Sequence, residues 1–207
     1  GQDFEYINIH LKEMTIKKNI LVAGIIRGRV PVIPSGDDII QPGDKVAVGV
    51  SGGKDSLLLL RAMALYRMVR HQDFELCAVM LTTGKQKPDT SAIEKMAEEL
   101  KVPLLVRHTE LYEILFEIRK DPNPCALCAK MRRGALNQAI LDKGFNKLAL
   151  GHHYDDAVET FVMNLLFEGR IGCFQPVTNL DRTGIIQIRP MMYIHERTVD
   201  NFSVRKG

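Results

Sequence analysis

Long apolar runs are missing from this sequence. None reaches the ~18 to 20 residues that a membrane-spanning helix needs, so a membrane protein is not expected. A charged-then-apolar leader of the secretory kind is missing too, and the expected compartment is the cytoplasm. A strong charge of either sign is absent. The formal net charge of +3 is too small by itself to announce nucleic acid. Residues 1–44 hold five Lys/Arg against six Asp/Glu, so the remaining 23 basic and 19 acidic residues put the positive excess in the rest of the chain. Cysteine is scarce. Four residues, two of them in a tight C-x-x-C, exclude a disulfide framework and point to a reducing compartment with a metal or redox role. The length of 207 residues suits one sizeable core with at most a small appendage.

What is present centres on Ser51-Gly52-Gly53-Lys54-Asp55-Ser56. The stretch follows a short apolar run, Val46 to Val50, and precedes a helical pattern beginning at Leu57, giving strand, glycine turn and helix. Two glycines let backbone N–H groups turn inward, and the following helix adds the positive end of its dipole. Ser51 and Ser56 add hydroxyl donors and Lys54 a point charge, so phosphate is the natural guest. The Walker spacing is absent, because the glycines are adjacent and Asp55 stands where a Walker loop has Ser or Thr. An acidic residue in a phosphate nest is unfavourable unless it faces Mg²⁺ or the lysine, which suggests a metal-assisted nucleotide site. The hexapeptide resembles the pyrophosphate loop of the PP-loop ATPases, which cleave ATP between the α- and β-phosphates and adenylylate a substrate oxygen. A plain turn is the competing reading.

Residues 1–44 read differently from the rest. Two short aliphatic runs, Ile20 to Ile26 and Val30 to Ile33, are separated by Arg27-Gly28-Arg29 and followed by Pro- and Gly-rich turns, as short strands would be. The pattern from Ile20 to Val46 resembles the end of the C-terminal regulatory subdomain of TrkA-type potassium-transport proteins, covering about half of such a unit. We therefore expect a β-rich extension over residues 1–44 and a second unit over 45–207; an ordinary N-terminal extension packing on that unit is the alternative.

From Lys45 onward strands alternate with helices. Strands are expected at Val46 to Val50, Glu75 to Leu81, Val102 to Val106, Lys147 to Leu150 and Ile185 to Ile188. Helical spacing appears after the loop to about His71, around Ile93 to Leu100 with Asp89 to Ser91 as its cap, over Leu111 to Ile118, and from Ala157 to Gly169. Asp121-Pro122-Asn123-Pro124 stops the third of these. The expected fold class is α/β, a parallel Rossmann-like sheet with right-handed crossovers and its ligand site beyond the carboxyl ends of the strands. The polar motifs fall at those ends and should converge on one cleft.

Pro124 to Gly134 places Cys125 and Cys128 three apart at the start of a helix, where the dipole favours thiolate. Two thiols are half of a zinc or iron–sulfur site; two small buried cysteines are the plainer alternative. Lys130, Arg132 and Arg133 follow, a cationic face suited to an RNA backbone or simply to solvent. Cys77, inside a strand, reads as core, and Cys173 as a loop residue.

SGGKDS, PCALCAKMRRGAL, LALGHHYDDAVETFVMNLLFEGR and IRP, in that order, closely resemble the tRNA 2-thiocytidine synthetase family of PP-loop enzymes from about Asp44 to Glu196. The resemblance implies ATP-dependent thiolation of a cytidine in the tRNA anticodon loop, with AMP and pyrophosphate formed. It implies that Ser51, Gly52, Gly53, Lys54, Asp55 and Ser56, with Leu81, Gly151 and His152, hold ATP and Mg²⁺. Lys54, Asp55, Asp155 and Asp156 would be catalytic, and Lys130, Arg132, Arg133, Arg170 and Arg189 would contact tRNA or phosphate. It implies a [4Fe–4S] cluster, with Cys125 and Cys128 as the first two of three ligands. The family's third cysteine lies downstream of the RP motif, in a segment this sequence does not carry, so a C-terminal truncation is expected. The implied partners are tRNA and a sulfur donor, either a cysteine desulfurase or sulfide, with a homodimer as a further expectation. Another PP-loop tRNA-modifying enzyme, of the thiouridine or lysidine type, and a non-catalytic nucleotide-binding regulator are the alternatives.

Overall fold

The computed structural model describes residues 25–27, 30–32, 40, 42–70, 73–82, 84, 89–119 and 124–204. Two short strands, β1 (Ile25–Arg27) and β2 (Val30–Val32), pair antiparallel with Ile26 opposite Pro31, in keeping with the expected short strands. A six-stranded sheet follows, in the order β5-β4-β3-β6-β8-β7. It is built from β3 (Lys45–Gly49), β4 (Glu75–Thr82), β5 (Leu104–His108), β6 (Lys147–Ala149), β7 (Val177–Leu180) and β8 (Ile185–Ile188).

Strand β3 alternates strictly. Val46 and Val48 enter one buried cluster with Leu59, Leu60 and Met63 of α1 (Lys54–Arg70), while Ala47 enters another with Ala139 and Ile140 of α3 (Pro124–Leu141). Period-two alternation thus gives the sheet a helix layer on each face. Cys77 is buried, as expected of a core residue, and burial pushes its thiol pKa up.

Several expectations need correction. The sheet is not wholly parallel, because β7 pairs antiparallel with β8. The turn between them closes at Gly184, whose φ of +68° favours glycine and whose N–H donates to the Leu180 carbonyl at 2.8 Å. Helix α1 begins at Lys54, within the glycine motif, rather than at Leu57. Strand β5 starts later than read, since Pro103 has no N–H to pair; its carbonyl accepts from Ala78 instead. The segment read as a helix over Leu111 to Ile118 is π-helical from Glu113 to Arg119. Helix α2 (Ser91–Glu99) is entered as expected through Asp89, whose carboxylate accepts from the Ser91 N–H at 3.0 Å. Residues 121–123 lie outside the described residues.

Two helices complete the chain. The fifteen residues of α4 (Tyr154–Glu168) include none that is buried, although many are apolar. Helix α5 (Glu196–Val204) was not expected; its Val199 lies fully out of solvent.

Strand order reverses between β3 and β6, with β4 on one side of β3 and β6 on the other. At that switch point the carboxyl ends of two parallel strands diverge and leave a crevice.

Candidate functional site

A cleft of about 670 Å³ occupies that crevice. It is lined by Gly49 at the end of β3 and Val50 just after it, from the glycine motif by Ser51, Asp55 and Ser56, and from β4 by Leu81. Arg132, Arg133 and Asn137 of α3 form one wall, and Gly151, His152, Asp156, Phe174, Gln187 and Arg189 the other.

The glycine motif is a loop tied to itself. The Ser56 hydroxyl donates to the Gly53 carbonyl at 2.9 Å and accepts from the Ser51 N–H at 3.1 Å, while the Gly53 N–H reaches the Ser51 hydroxyl at 3.4 Å. Gly52 has φ +87°, a conformation that side chains resist. The N–H groups of the first turn of α1 have no partner within the helix, and Ser51, Asp55 and Ser56 set this turn against the cleft.

Gly151, at the end of β6, presses against this loop. A Cβ there would come within 3.1 Å of the Asp55 carbonyl carbon and 3.2 Å of the Ser56 nitrogen, both backbone atoms that cannot swing aside. Gly151→Ala is expected to destabilise the fold by about 1–3 kcal/mol, the usual cost of overpacking, measured by urea unfolding. A change under about 0.5 kcal/mol would show that the loop yields freely.

The histidine–aspartate stretch divides its roles. His152 points into the cleft with its ring centroid 5.0 Å from that of Phe174. Burial, then the nearby Arg189 charge, pushes its pKa below the ordinary imidazole range, so the ring is neutral at pH 7. His153 and Asp156 form a reciprocal cap on α4, the His153 N–H donating to Asp156 Oδ2 at 2.8 Å and the Asp156 N–H to His153 Nδ1 at 3.4 Å. Asp155 faces away from the cleft. Its Oδ2 accepts from the Glu196 N–H at 2.7 Å, and that bond holds its pKa below the usual carboxylate value.

Arg189 is a buried cation without a carboxylate partner among the described residues. Its guanidinium donates to the Gln175 carbonyl at 2.6 Å, to Thr178 Oγ1 at 3.2 Å and to Gln187 Oε1 at 2.6 Å, and lies 4.8 Å from the Phe174 ring centroid. Burial lowers its pKa.

Four buried side-chain atoms have no hydrogen-bond partner among the described residues: Asp55 Oδ1, Asn137 Oδ1, His152 Nδ1 and Arg189 Nε. All four belong to residues that line this one cleft. Unsatisfied buried polar atoms are costly, so their convergence marks a place shaped for a polar ligand.

Other sequence-predicted residues lie elsewhere. Lys54 does not line the cleft; its Nζ pairs with Glu196 at 2.7 Å and Asp200 at 2.5 Å. Lys130 is exposed, and Arg170 is exposed and paired with Glu168 at 2.7 Å. Cys128 is a half-buried free thiol on the first turns of α3; the Cys125 side chain lies outside the described residues. Cys173 donates its S–H to the Ala157 carbonyl at 3.2 Å. Sequence reasoning missed Asn137, Phe174 and Gln187, neutral residues that no motif flagged.

A glycine-nest loop at the switch point of an α/β sheet, facing buried Asp, His and Arg atoms that lack partners, defines a phosphate-binding domain of the nucleotide-handling class. The chain belongs to the PP-loop domain family, whose model matches residues 33–207, and to the tRNA-cytidine(32) 2-sulfurtransferase family. It is 36% identical over 180 residues to the tRNA-cytidine(32) 2-sulfurtransferase of Citrifermentans bemidjiense, covering 86% of this chain and 70% of that protein. It is 32% identical to the protein of that name from Coxiella burnetii, covering 81% and 66%. Among solved structures it is similar to the U34-tRNA thiolase NcsA from Methanococcus maripaludis with its [4Fe–4S] cluster, at 29% identity and a TM-score of 0.66. That match covers 82% of this chain and 59% of the thiolase. A TrkA-C domain model also matches residues 5–60, overlapping the PP-loop match and including the glycine motif itself.

Proposed function

We propose that the chain binds ATP in the cleft, transfers AMP to the C2 oxygen of a cytidine in tRNA, and replaces that oxygen with sulfur. The observation that supports this reading best is the set of four partnerless buried atoms around one phosphate nest. The relatives' shared name supplies the target base and atom.

The balance of the reaction is simple. The base oxygen attacks the α-phosphorus and pyrophosphate leaves with the bonding electrons. Sulfur at the sulfide level then attacks C2, and AMP leaves with the oxygen; a persulfide from a cysteine desulfurase would first need a second thiol to take its carrier sulfur as a disulfide. This chain's residues act on charge and position. The loop and the N-terminus of α1 hold phosphate oxygens, Arg189 neutralises charge that develops during transfer, and neutral His152 orients groups at the reacting edge. Arg132 and Arg133, on the α3 wall, meet the phosphates of nucleotide or RNA.

Asp55 Oδ1, a buried oxygen without a partner among the described residues, fits Mg²⁺ and would hold it against the phosphates, where the ion would supply charge neutralisation. A [4Fe–4S] cluster fits less completely. Cys125 and Cys128 supply two thiolates, but no group of three or more possible ligands is present among the described residues. When bound, a cluster with an open iron would carry sulfide; no step here depends on it. The cytoplasm, a homodimer and a domain boundary near residue 44 complete the proposal. No helix among the described residues is long and apolar enough to cross a membrane.

The test is anaerobic incubation with Mg²⁺, iron, sulfide, ATP and bulk tRNA. AMP and pyrophosphate that appear only with tRNA are expected. The TrkA-C match favours a second reading, a regulator that binds nucleotide and leaves it intact, and uncleaved bound ATP would select it. Replacing Cys125 and Cys128 together with Ser is expected to remove bound iron while ATP binding persists; unchanged iron content would overturn the ligand assignment.

A further inference from the structure

Lys54 opens helix α1 inside the loop, yet its side chain leaves the cleft for α5. Its Nζ lies between Glu196 Oε1 at 2.7 Å and Asp200 Oδ1 at 2.5 Å. The two carboxylates stand four residues apart, which places them on one face of the helix. Helix α5 is itself fixed: Asp155 caps the Glu196 N–H at 2.7 Å, and Val199 is fully buried. The loop, the histidine–aspartate stretch and α5 are thereby joined through Lys54 and Asp155.

These ion pairs are poorly placed to stabilise the fold. All three side chains are between a third and a half exposed, where such pairs contribute little. Their position matters more. Two carboxylates against the first residue of the phosphate-loop helix would repel an incoming polyphosphate unless a cation offsets them.

Resting on the ATP reading above, we propose that Glu196, Asp200 and Lys54 are positioning residues for the phosphate loop, with Lys54 acting on the carboxylates of α5 and never on the phosphates. Lys54 cancels the negative field that the α5 carboxylates would otherwise set beside the loop. The loop's own backbone and Arg189 then do the phosphate binding.

The distinguishing experiment compares the full chain with Lys54→Met, Lys54→Arg and the triple variant Lys54→Met/Glu196→Gln/Asp200→Asn. The readouts are the dissociation constant for a fluorescent ATP analogue with Mg²⁺, the KM and kcat for AMP formation, and Tm. Lys54→Met should weaken ATP binding and raise KM by about tenfold, with kcat changed far less and Tm nearly unmoved. Lys54→Arg should retain parental binding. The triple variant carries no lysine, yet it should return to within about threefold of the parent, because the unpaired carboxylates are gone.

A triple variant as weak as Lys54→Met would show direct phosphate contact and overturn the proposal. Unchanged ATP affinity in every variant would overturn it equally, leaving an ordinary surface ion pair. If the unmodified chain binds no ATP, the reading beneath the proposal fails, a result separable from both of these.

Discussion

Arg189→Met is expected to slow AMP formation by about 10²–10³-fold, the range found when a preorganised charge or donor is removed from a developing anion. The argument begins with burial. Arg189 is only 8% exposed and has no ion pair among the described residues, so the protein bears the cost of desolvating a charge without an internal counter-ion. Three neutral oxygens and the face of Phe174 hold the guanidinium in place, and Nε is left over. An anion arriving in the cleft would complete the set. Methionine matches the length and suits the burial, so the effect should fall on turnover more than on folding, although the Gln175 and Gln187 oxygens lose their donor. Arg189→Lys should fall between the two, keeping the charge and losing the planar fork. Product release measured with tRNA checks this; parental turnover in Arg189→Met would reduce Arg189 to a structural tie of the β7–β8 hairpin.

Asp44→Ala should lower the unfolding free energy by about 3–5 kcal/mol, the cost of stranding a buried charge. Lys147 Nζ lies 2.5 Å from Asp44 Oδ2, with side-chain exposures of 4% and 10%, and Asn146 Nδ2 donates to the other carboxylate oxygen at 2.9 Å. The pair joins the amino ends of β3 and β6, the two strands that part at the cleft. Asp44→Ala with Lys147→Met should regain most of the loss, since an apolar pair can replace a buried ion pair with little cost. Urea unfolding measures both, and a loss under about 1 kcal/mol for the single change would mean that water reaches Lys147. Because the pair sits at the far end of the strands, ATP affinity of the folded fraction should not change.

Most of the sheet was legible because burial on both faces leaves short aliphatic runs bounded by turns. Val46 to Val50 and Ile185 to Ile188 are of this kind. Strand β7 was not legible, because Val177–Leu180 alternates between exposed and half-buried positions and lacks such a run. Helix α5 was hidden for a related reason: its turns carry Glu196, Arg197, Asp200 and Asn201, and among its described side chains only Val199 is fully buried. The motifs stand at strand ends, and Asp55, His152 and Arg189 line the cleft there, as topology requires. Lys54 and Asp155, expected beside them, turn toward α5. Adjacency to a loop in sequence does not fix where a long side chain goes once α5 offers it two carboxylates.

The hydroxyls of Ser51 and Ser56 bind the loop's own backbone. The ordering of this hexapeptide therefore belongs to the folding reaction rather than to ligand capture. On the proposed ATP reading, a phosphate would meet a loop already ordered, and little conformational entropy would remain to be lost on association. Selectivity then rests on rigidity, since a loop that cannot reshape itself has no way to improve its fit to an anion of different form.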